Sequence, residues 1–411
     1  MKSVVIKNIG DLVTMEPLVL DNRFTNISET DLGRISDAWI HLESGSIKAY
    51  GCGPHPQADT TINAQGKLVT PGFIDCHTHP VFGGNRAEEF TQRLAGATYQ
   101  EIAAAGGGIQ YTRKHTINGE ASALLSSTLE NLEKFLDQGT TTIEAKSGYG
   151  LTVESELKLL RILKDAETQS PVDIKSTCLG LHAIPPEYST RKAFVEDMTN
   201  NLLPQVAKEK LAVWVDAFIE KGYFEKEDAR PYLDKAKELG FGIRLHVDEF
   251  VDVDGGKLAA EYQAISADHL EHTNLDGIKA MASKGVVAVI LPGTSLYTKI
   301  PFTNGKRFVE HGCPVALASD FNPGSCRFYN LSFVATLGAL YNGLSMQEAF
   351  AGITWVPAKA MDLHKNKGAL VPDFDADLQL FPYNKLEDWI ADAGQLKPTI
   401  VIKNGQLVRG N

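Results

Sequence analysis

A chain of 411 residues, 43% hydrophobic and 22% charged, has the make-up of a globular protein, with length for two or three domains or for one large barrel with an added domain. Its net charge of −11 at pH 7 argues against a nucleic-acid partner, which needs a basic face, and no apolar run approaches the length needed to span a bilayer. The five widely spaced cysteines, with no Cys-x-x-Cys, exclude a disulfide framework and a structural zinc knuckle, and the apolar run Val4-Val5-Ile6 is too short for a signal peptide, so the expected location is cytoplasmic with reduced thiols.

Up to Thr70 the chain reads as short strands and turns. Val4–Ile6, Ala38–Leu42 and Ser46–Tyr50 are β-like, and Glu43-Ser44-Gly45, Gly51-Cys52-Gly53-Pro54 and Ala64-Gln65-Gly66 punctuate them. No helical period is visible, so residues 1–69 are expected to open a small β-rich domain. After Pro71 the rhythm changes to strand, loop, long helix. Phe73-Ile74 is a short strand that runs into His77-Thr78-His79 and ends at Pro80, which cannot donate to a ladder. A helix is predicted over Ala121–Gln138, with Leu124, Leu125, Leu132, Phe135 and Leu136 at helical spacing and Gly139 as its stop. Strands are predicted at Thr140–Lys146, Ile174–Leu181, Val213–Ile219, Gly242–Leu245, Ser266–Leu270, Val286–Leu291 and Val315–Ala318. Further helices are predicted at Ser155–Glu167 and Ala229–Leu239.

Eight strands mostly separated by helices, over residues 70–368, imply a parallel sheet. They fit a (β/α)8 TIM-like barrel better than an open doubly wound sheet. A dinucleotide-binding fold would want G-x-G-x-x-G after the first strand. The Gly106-Gly107-Gly108 cluster instead follows a helix-like stretch and reads as a mobile loop over the site. Beyond Leu370 the helices are expected to stop. Ala376–Phe381 alternates, and Thr399–Lys403 and Gln406–Arg409 flank Asn404-Gly405, a strong hairpin signal. Residues 369–411 should therefore join residues 1–69. The expected fold is α/β, a (β/α)8 barrel with a small discontinuous β-rich domain from both termini.

Side chains two apart on a strand point the same way, so His77 and His79 face one place. Polar residues also collect at later strand ends: Lys146, His182, His246, His269 and Asp320. In a barrel these ends share the face that carries catalysis. Any one of these histidines could be a satisfied core residue, but five of the chain's eleven fall at such positions. His77, His79, His246 and Asp320 suit one divalent metal per chain, Zn2+ or iron (Fe2+/Fe3+), with a position left for water. A divalent metal lowers the pKa of its water to about 7, and Asp320 can accept the proton, so hydrolysis is the natural chemistry.

Pro71-Gly72-Phe73-Ile74-Asp75-Cys76-His77-Thr78-His79 is similar to the metal-binding signature of the amidohydrolase superfamily. His246, His269 and Asp320 fall where that superfamily places its later barrel residues. His79–Arg86, Lys146–Gly150, Leu181–Glu187, Leu245–Glu249 and Ser319–Ser325 resemble, more narrowly, the imidazolonepropionase family of histidine degradation, and the likeness spans nearly the whole chain. That resemblance implies a small-molecule substrate, the cyclic amide 4-imidazolone-5-propanoate, opened to N-formimidoyl-L-glutamate. It also implies a homodimer and a single metal.

On that reading Arg86 offers a planar fork for the substrate carboxylate. Tyr99 and Tyr149 offer hydroxyls, and His182, Glu249, Asn322, Gly324 and Ser325 complete the substrate site. Glu249, His269 and Asp320 divide the proton transfers, with His182 or His269 helping to stabilise the oxyanion. Binuclear relatives carry a bridging lysine on the fourth strand, and here that strand ends Ile219-Glu220-Lys221. The alternatives are another mononuclear amidohydrolase, such as a purine or pyrimidine deaminase with no need for Arg86, and a non-catalytic scaffold on the same fold, which would be expected to lose ligands.

Overall fold

The computed structural model describes residues 3–97, 101–102 and 105–410. The N-terminal part supplies β1 (Val4–Val13), β2 (Arg34–Glu43), β3 (Ser46–Cys52), β4 (Thr60–Asn63) and β5 (Leu68–Pro71). The middle supplies β6 (Phe73–Thr78), β7 (Thr140–Lys146), β8 (Asp173–Leu181), β9 (Trp214–Ile219), β10 (Gly242–Val247), β11 (Ser266–His269), β12 (Val287–Ile290) and β13 (Val315–Leu317). The C-terminal part supplies β14 (Leu378–Phe381), β15 (Ile400–Lys403) and β16 (Gln406–Arg409).

Strands β6 to β13 pair in chain order, every ladder parallel. Most are buried along their whole length, as a sheet covered on both faces requires. The ring closes just beyond β13. Asp320 N donates to His77 O at 3.1 Å, and His79 N donates to Phe321 O at 2.8 Å. Closure therefore happens at the C-terminal rim of the strands and brings Asp320 alongside His77 and His79.

Helices cover the outside of this sheet. Ala121–Asp137 buries Leu124, Leu132, Phe135 and Leu136 on one face. Val153–Gln169 starts where the Thr152 side chain accepts Ser155 N, and Leu275–Lys284 is capped by Asn274 and stopped by Gly285 in the left-handed region at φ 67°. Pro231 lies within Lys226–Glu238, where the sequence predicts a shorter helix from Ala229. Among the described residues no helix is long and apolar enough to cross a membrane.

The two chain ends build one mixed sheet, in the order β16-β15-β14-β5-β1-β2-β3, with β4 beside β1. The antiparallel pairing of β5 with β14 joins them, Pro71 opposite Leu378. Asn404 and Gly405 both take positive φ, 48° and 72°, as the tight hairpin turn requires. Gly72 is the single residue between this sheet and β6. A β-carbon there would lie 2.5 Å from Thr141 Oγ1, so only glycine fits the step.

Two expectations need correction. The N-terminal part contains a short helix, Glu16–Asp21, and a 3-10 turn, Glu29–Leu32. That turn is held by Ser28 and Asp31 capping each other and by Arg23 Nη1 at 2.9 Å from Asp31 Oδ2, a polar arrangement with no hydrophobic period to read. Helices also continue past Leu370: Leu386–Ala391 buries only Leu386 and Trp389 and is too short to show a period.

Candidate active site at the strand rim

Strand β6 delivers His77 and His79 to the rim, with Nε2 of each 3.5 Å from Asp320 Oδ1. That is long for a hydrogen bond. It matches the edge of a tetrahedron, about 3.4 Å, whose centre lies about 2.1 Å from each ligand atom. Two overlapping triads share His77: His77, His79 and Asp320, and His77, His246 and His269, the donor atoms of each lying within 4.8 Å of one another. His77 Nε2 is buried without a hydrogen-bond partner. Burial drives the pKa of His77 and of His79 well below the usual value, so both rings stay neutral, the form that binds a cation. The donor set thus fits a divalent metal, with His269 as a further nitrogen in reach.

Carboxylates behind the rings aim them. His77 Nδ1 donates to Asp268 Oδ2 at 2.7 Å, and His246 Nδ1 lies 2.9 Å from Asp216 Oδ2. Each contact turns Nε2 toward the rim. Beneath them lies a dry ionic layer. Lys146 Nζ donates to Asp216 Oδ2 at 2.8 Å and Glu144 Oε1 at 2.9 Å, and Arg244 Nη2 donates to Cys76 O at 2.7 Å. Burial favours a neutral Asp216, yet His246 and Lys146 outweigh it and hold its pKa below the ordinary range.

Sequence reasoning missed Asp216, Asp268, Glu144 and Arg244, and it grouped Lys146 with the rim residues although it lies in this layer. The signal was present in Trp214-Val215-Asp216-Ala217-Phe218-Ile219: a charge inside a fully buried strand demands a partner. The fourth strand thus turns Asp216 to the site, not a lysine. Glu220 is spent accepting Lys221 N at 2.8 Å and Phe250 N at 2.9 Å.

The acidic side is equally enclosed. Thr294 Oγ1 donates to Asp320 Oδ2 at 2.6 Å, and burial pushes the Asp320 carboxyl up to about 6. Glu249 is raised well above the ordinary range, first by burial and then by Glu271 and Asp320. His269 Nδ1 lies 3.8 Å from Glu249 Oε2 and 3.9 Å from Glu271 Oε2. His269 and Asp320 hold left-handed φ of 79° and 49°, strain of about 1–3 kcal/mol each that surrounding contacts must offset.

Above the rim opens a cavity of about 750 Å³, lined by Arg86, Tyr149, His182, Glu249, Asn322 and Ser325 among others. Arg86 Nε donates to Glu89 Oε2 at 2.8 Å. Gly324 lies flat on its guanidinium, where a β-carbon would overlap it. Arg93 Nη2 fixes that glycine by donating to its carbonyl at 2.8 Å. The Tyr149 loop is clamped by Glu156, which accepts Gly148 N at 2.8 Å and Gly150 N at 2.7 Å.

His182 Nδ1 sits 2.8 Å from Gly148 O. A carbonyl only accepts, so Nδ1 carries the proton and Nε2 offers a lone pair. Burial takes the His182 pKa down to about 3, which keeps the ring neutral. This departs from the expectation that His182 helps an oxyanion, because the free nitrogen is an acceptor. Asn322 also differs: its amide donates to Asp320 O at 2.7 Å and to Ser325 Oγ at 2.8 Å, so it builds the turn. Tyr99 lies outside the described residues. Of the glycine cluster, Gly108 N donates to Glu89 Oε1 at 2.9 Å, which ties that segment to Arg86.

The sequence matches the amidohydrolase family over residues 68–408. It is 38% identical to the imidazolonepropionase of Fusobacterium nucleatum, covering 98% of both chains, and 39% identical to that of Geobacillus kaustophilus, covering 99% of this chain and 98% of the relative. The imidazolonepropionase of Idiomarina loihiensis is 41% identical over 88% of this chain and 89% of its own. Among solved structures, a triazine hydrolase variant superposes with a TM-score of 0.78 at 14% identity, over 100% of this chain and 95% of that one. A 5-methylcytosine deaminase from Klebsiella pneumoniae gives 0.75 at 16%, over 99% and 97%. At such identities these two likenesses speak for the fold. With full-length relatives on one side and a buried histidine–aspartate rim on the other, the chain belongs to the imidazolonepropionase family of cyclic amidohydrolases.

Proposed function

We propose that the protein hydrolyses 4-imidazolone-5-propanoate to N-formimidoyl-L-glutamate. One observation carries the choice of substrate: the Arg86 fork, braced by Glu89 and Gly324, opens on the same cavity as His79, His246 and Asp320. A small ring with a carboxylate tail needs both ends. His77, His79, His246 and Asp320 would hold the metal, Zn2+ or iron. When bound, the ion supplies Lewis acidity and an acidified water.

The chain's own groups do the rest. Arg86 pairs with the carboxylate and Tyr149 offers its hydroxyl. His182 Nε2 accepts a ring N–H and so favours an amide nitrogen bearing hydrogen. Asp320 takes a proton from the attacking water. Glu249, protonated through burial, gives one to the ring nitrogen as its bond to the carbonyl carbon breaks. Water thus adds OH to carbon and H to nitrogen. His269, neutral and set beside Glu249, is the remaining group for proton exchange.

The test is incubation of metal-loaded protein with 4-imidazolone-5-propanoate, following loss of its ultraviolet absorbance, with cytosine and ammonia release as the comparison. Turnover of the imidazolone alone supports the reading. No turnover, or faster deamination of cytosine, contradicts it.

A further inference from the structure

We propose that Lys146 is a positioning residue for the metal site, its ammonium tying together the two carboxylates that aim His246 and His77. This rests on the metal-binding reading above. The geometry is compact. Lys146 Nζ lies 2.8 Å from Asp216 Oδ2, and the same oxygen lies 2.9 Å from His246 Nδ1. Lys146 Nζ also lies 3.6 Å from Asp268 Oδ2, the oxygen that accepts from His77 Nδ1 at 2.7 Å. One ammonium is therefore a single carboxylate removed from two imidazoles that sit on different strands.

The topology explains why this matters. Lys146 ends β7, Asp216 is on β9 and Asp268 on β11, and β11 stands four places from β7 in the ring. Lys146 reaches across the interior and makes the two carboxylates share one counter-charge. Two cations, Lys146 and Arg244, face three anions, Glu144, Asp216 and Asp268, all without solvent contact. Without the ammonium the carboxylates lose their common partner. Each then turns toward Arg244 or its own histidine, and the two imidazoles lose their shared alignment. A compact ammonium hydrogen-bonds two of these carboxylates and sits 3.6 Å from the third, a convergence on one point that a planar guanidinium does not reproduce.

The experiment is chelator competition for Zn2+ on the full chain: wild type, K146M, D268N and K146M/D268N, each checked for folding by circular dichroism. Outer partners of metal ligands typically change affinity by about 10- to 100-fold, and K146M is expected to weaken Zn2+ in that range. The double variant should bind about as weakly as the worse single one, because Lys146 acts through Asp268 and Asp216. Should K146M fail to fold, E144Q/K146M removes one charge of each sign and the same loss is expected. Folded variants that bind Zn2+ within twofold of wild type, or fully additive losses, overturn the proposal. A wild-type chain that takes up no metal instead overturns the metal reading itself.

Discussion

Gly324 shows how much a single atom decides in this site. It has an ordinary backbone conformation, so strain is not the issue; the space where its β-carbon would go is filled by the Arg86 guanidinium. Gly324→Ala must push that fork aside. The predicted result is a KM for the imidazolone substrate raised about 10- to 100-fold, the loss of a charge-assisted contact of about 1.5–3 kcal/mol, with kcat changed far less. Initial rates over a range of substrate concentration check this, and an unchanged KM would refute the seating of Arg86. The residues legible beforehand were those whose chemistry is unusual in a strand end: His77, His79, His246, His269 and Asp320. The direction of His182 and the engagement of Asn322 were not legible, because the first depends on a contact across to the loop after β7, at Gly148 O, and the second on a contact inside its own turn, at Ser325.

At the scale of elements, the segments following β10 and β11 carry two buried acids. Burial pushes the Glu271 carboxyl up to about 8 and that of Glu249 well above the ordinary range. In metal-free protein Glu271 holds a proton at neutral pH that the unfolded chain gives up near about 4.3, and burial shifts Glu249 in the same direction. The folded state then binds more protons than the unfolded one, so stability falls as pH rises through about 8. His77, His79 and His269 do not oppose this, since burial holds their folded pKa values below 6.5 and both states are neutral above about pH 7.5. The thermal midpoint of chelator-treated protein should drop from about pH 7.5 to 8.5, and Glu271→Gln should flatten that drop. Equal slopes for the two proteins would contradict the buried acid.

Elements were legible where burial is one-sided or complete: the leucine period of Ala121–Asp137, the apolar runs of β9 and β12, the Asn404-Gly405 turn. They were hidden where capping replaces a period, as at Glu29–Leu32. They were hidden too where a helix is apolar all round, as at Leu331–Tyr341, which buries Leu331, Val334, Ala335 and Leu337 together with Ser332 and Thr336.

Over the whole molecule, the chain ends pair with each other through β5 and β14, and the barrel closes through residues just past β13. These two closures are separate. The first holds the termini as one sheet; the second places Asp320, far along the chain, against His77 and His79. The site exists only in the closed ring, which is why strand order could be read from alternation while the ionic layer of Glu144, Lys146, Asp216, Arg244 and Asp268 could not. Its members are spread over four strands; a charge such as Asp216 inside an apolar strand calls for a partner, but only the ring shows which residues answer it. The central claim is that His77, His79, His246 and Asp320 hold one ion. Elemental analysis of purified wild type and His246→Ala tests it most directly. The account predicts about one zinc or iron per wild-type chain and a variant that loses metal and turnover together; a variant that keeps its metal, or stays fully active, would contradict it.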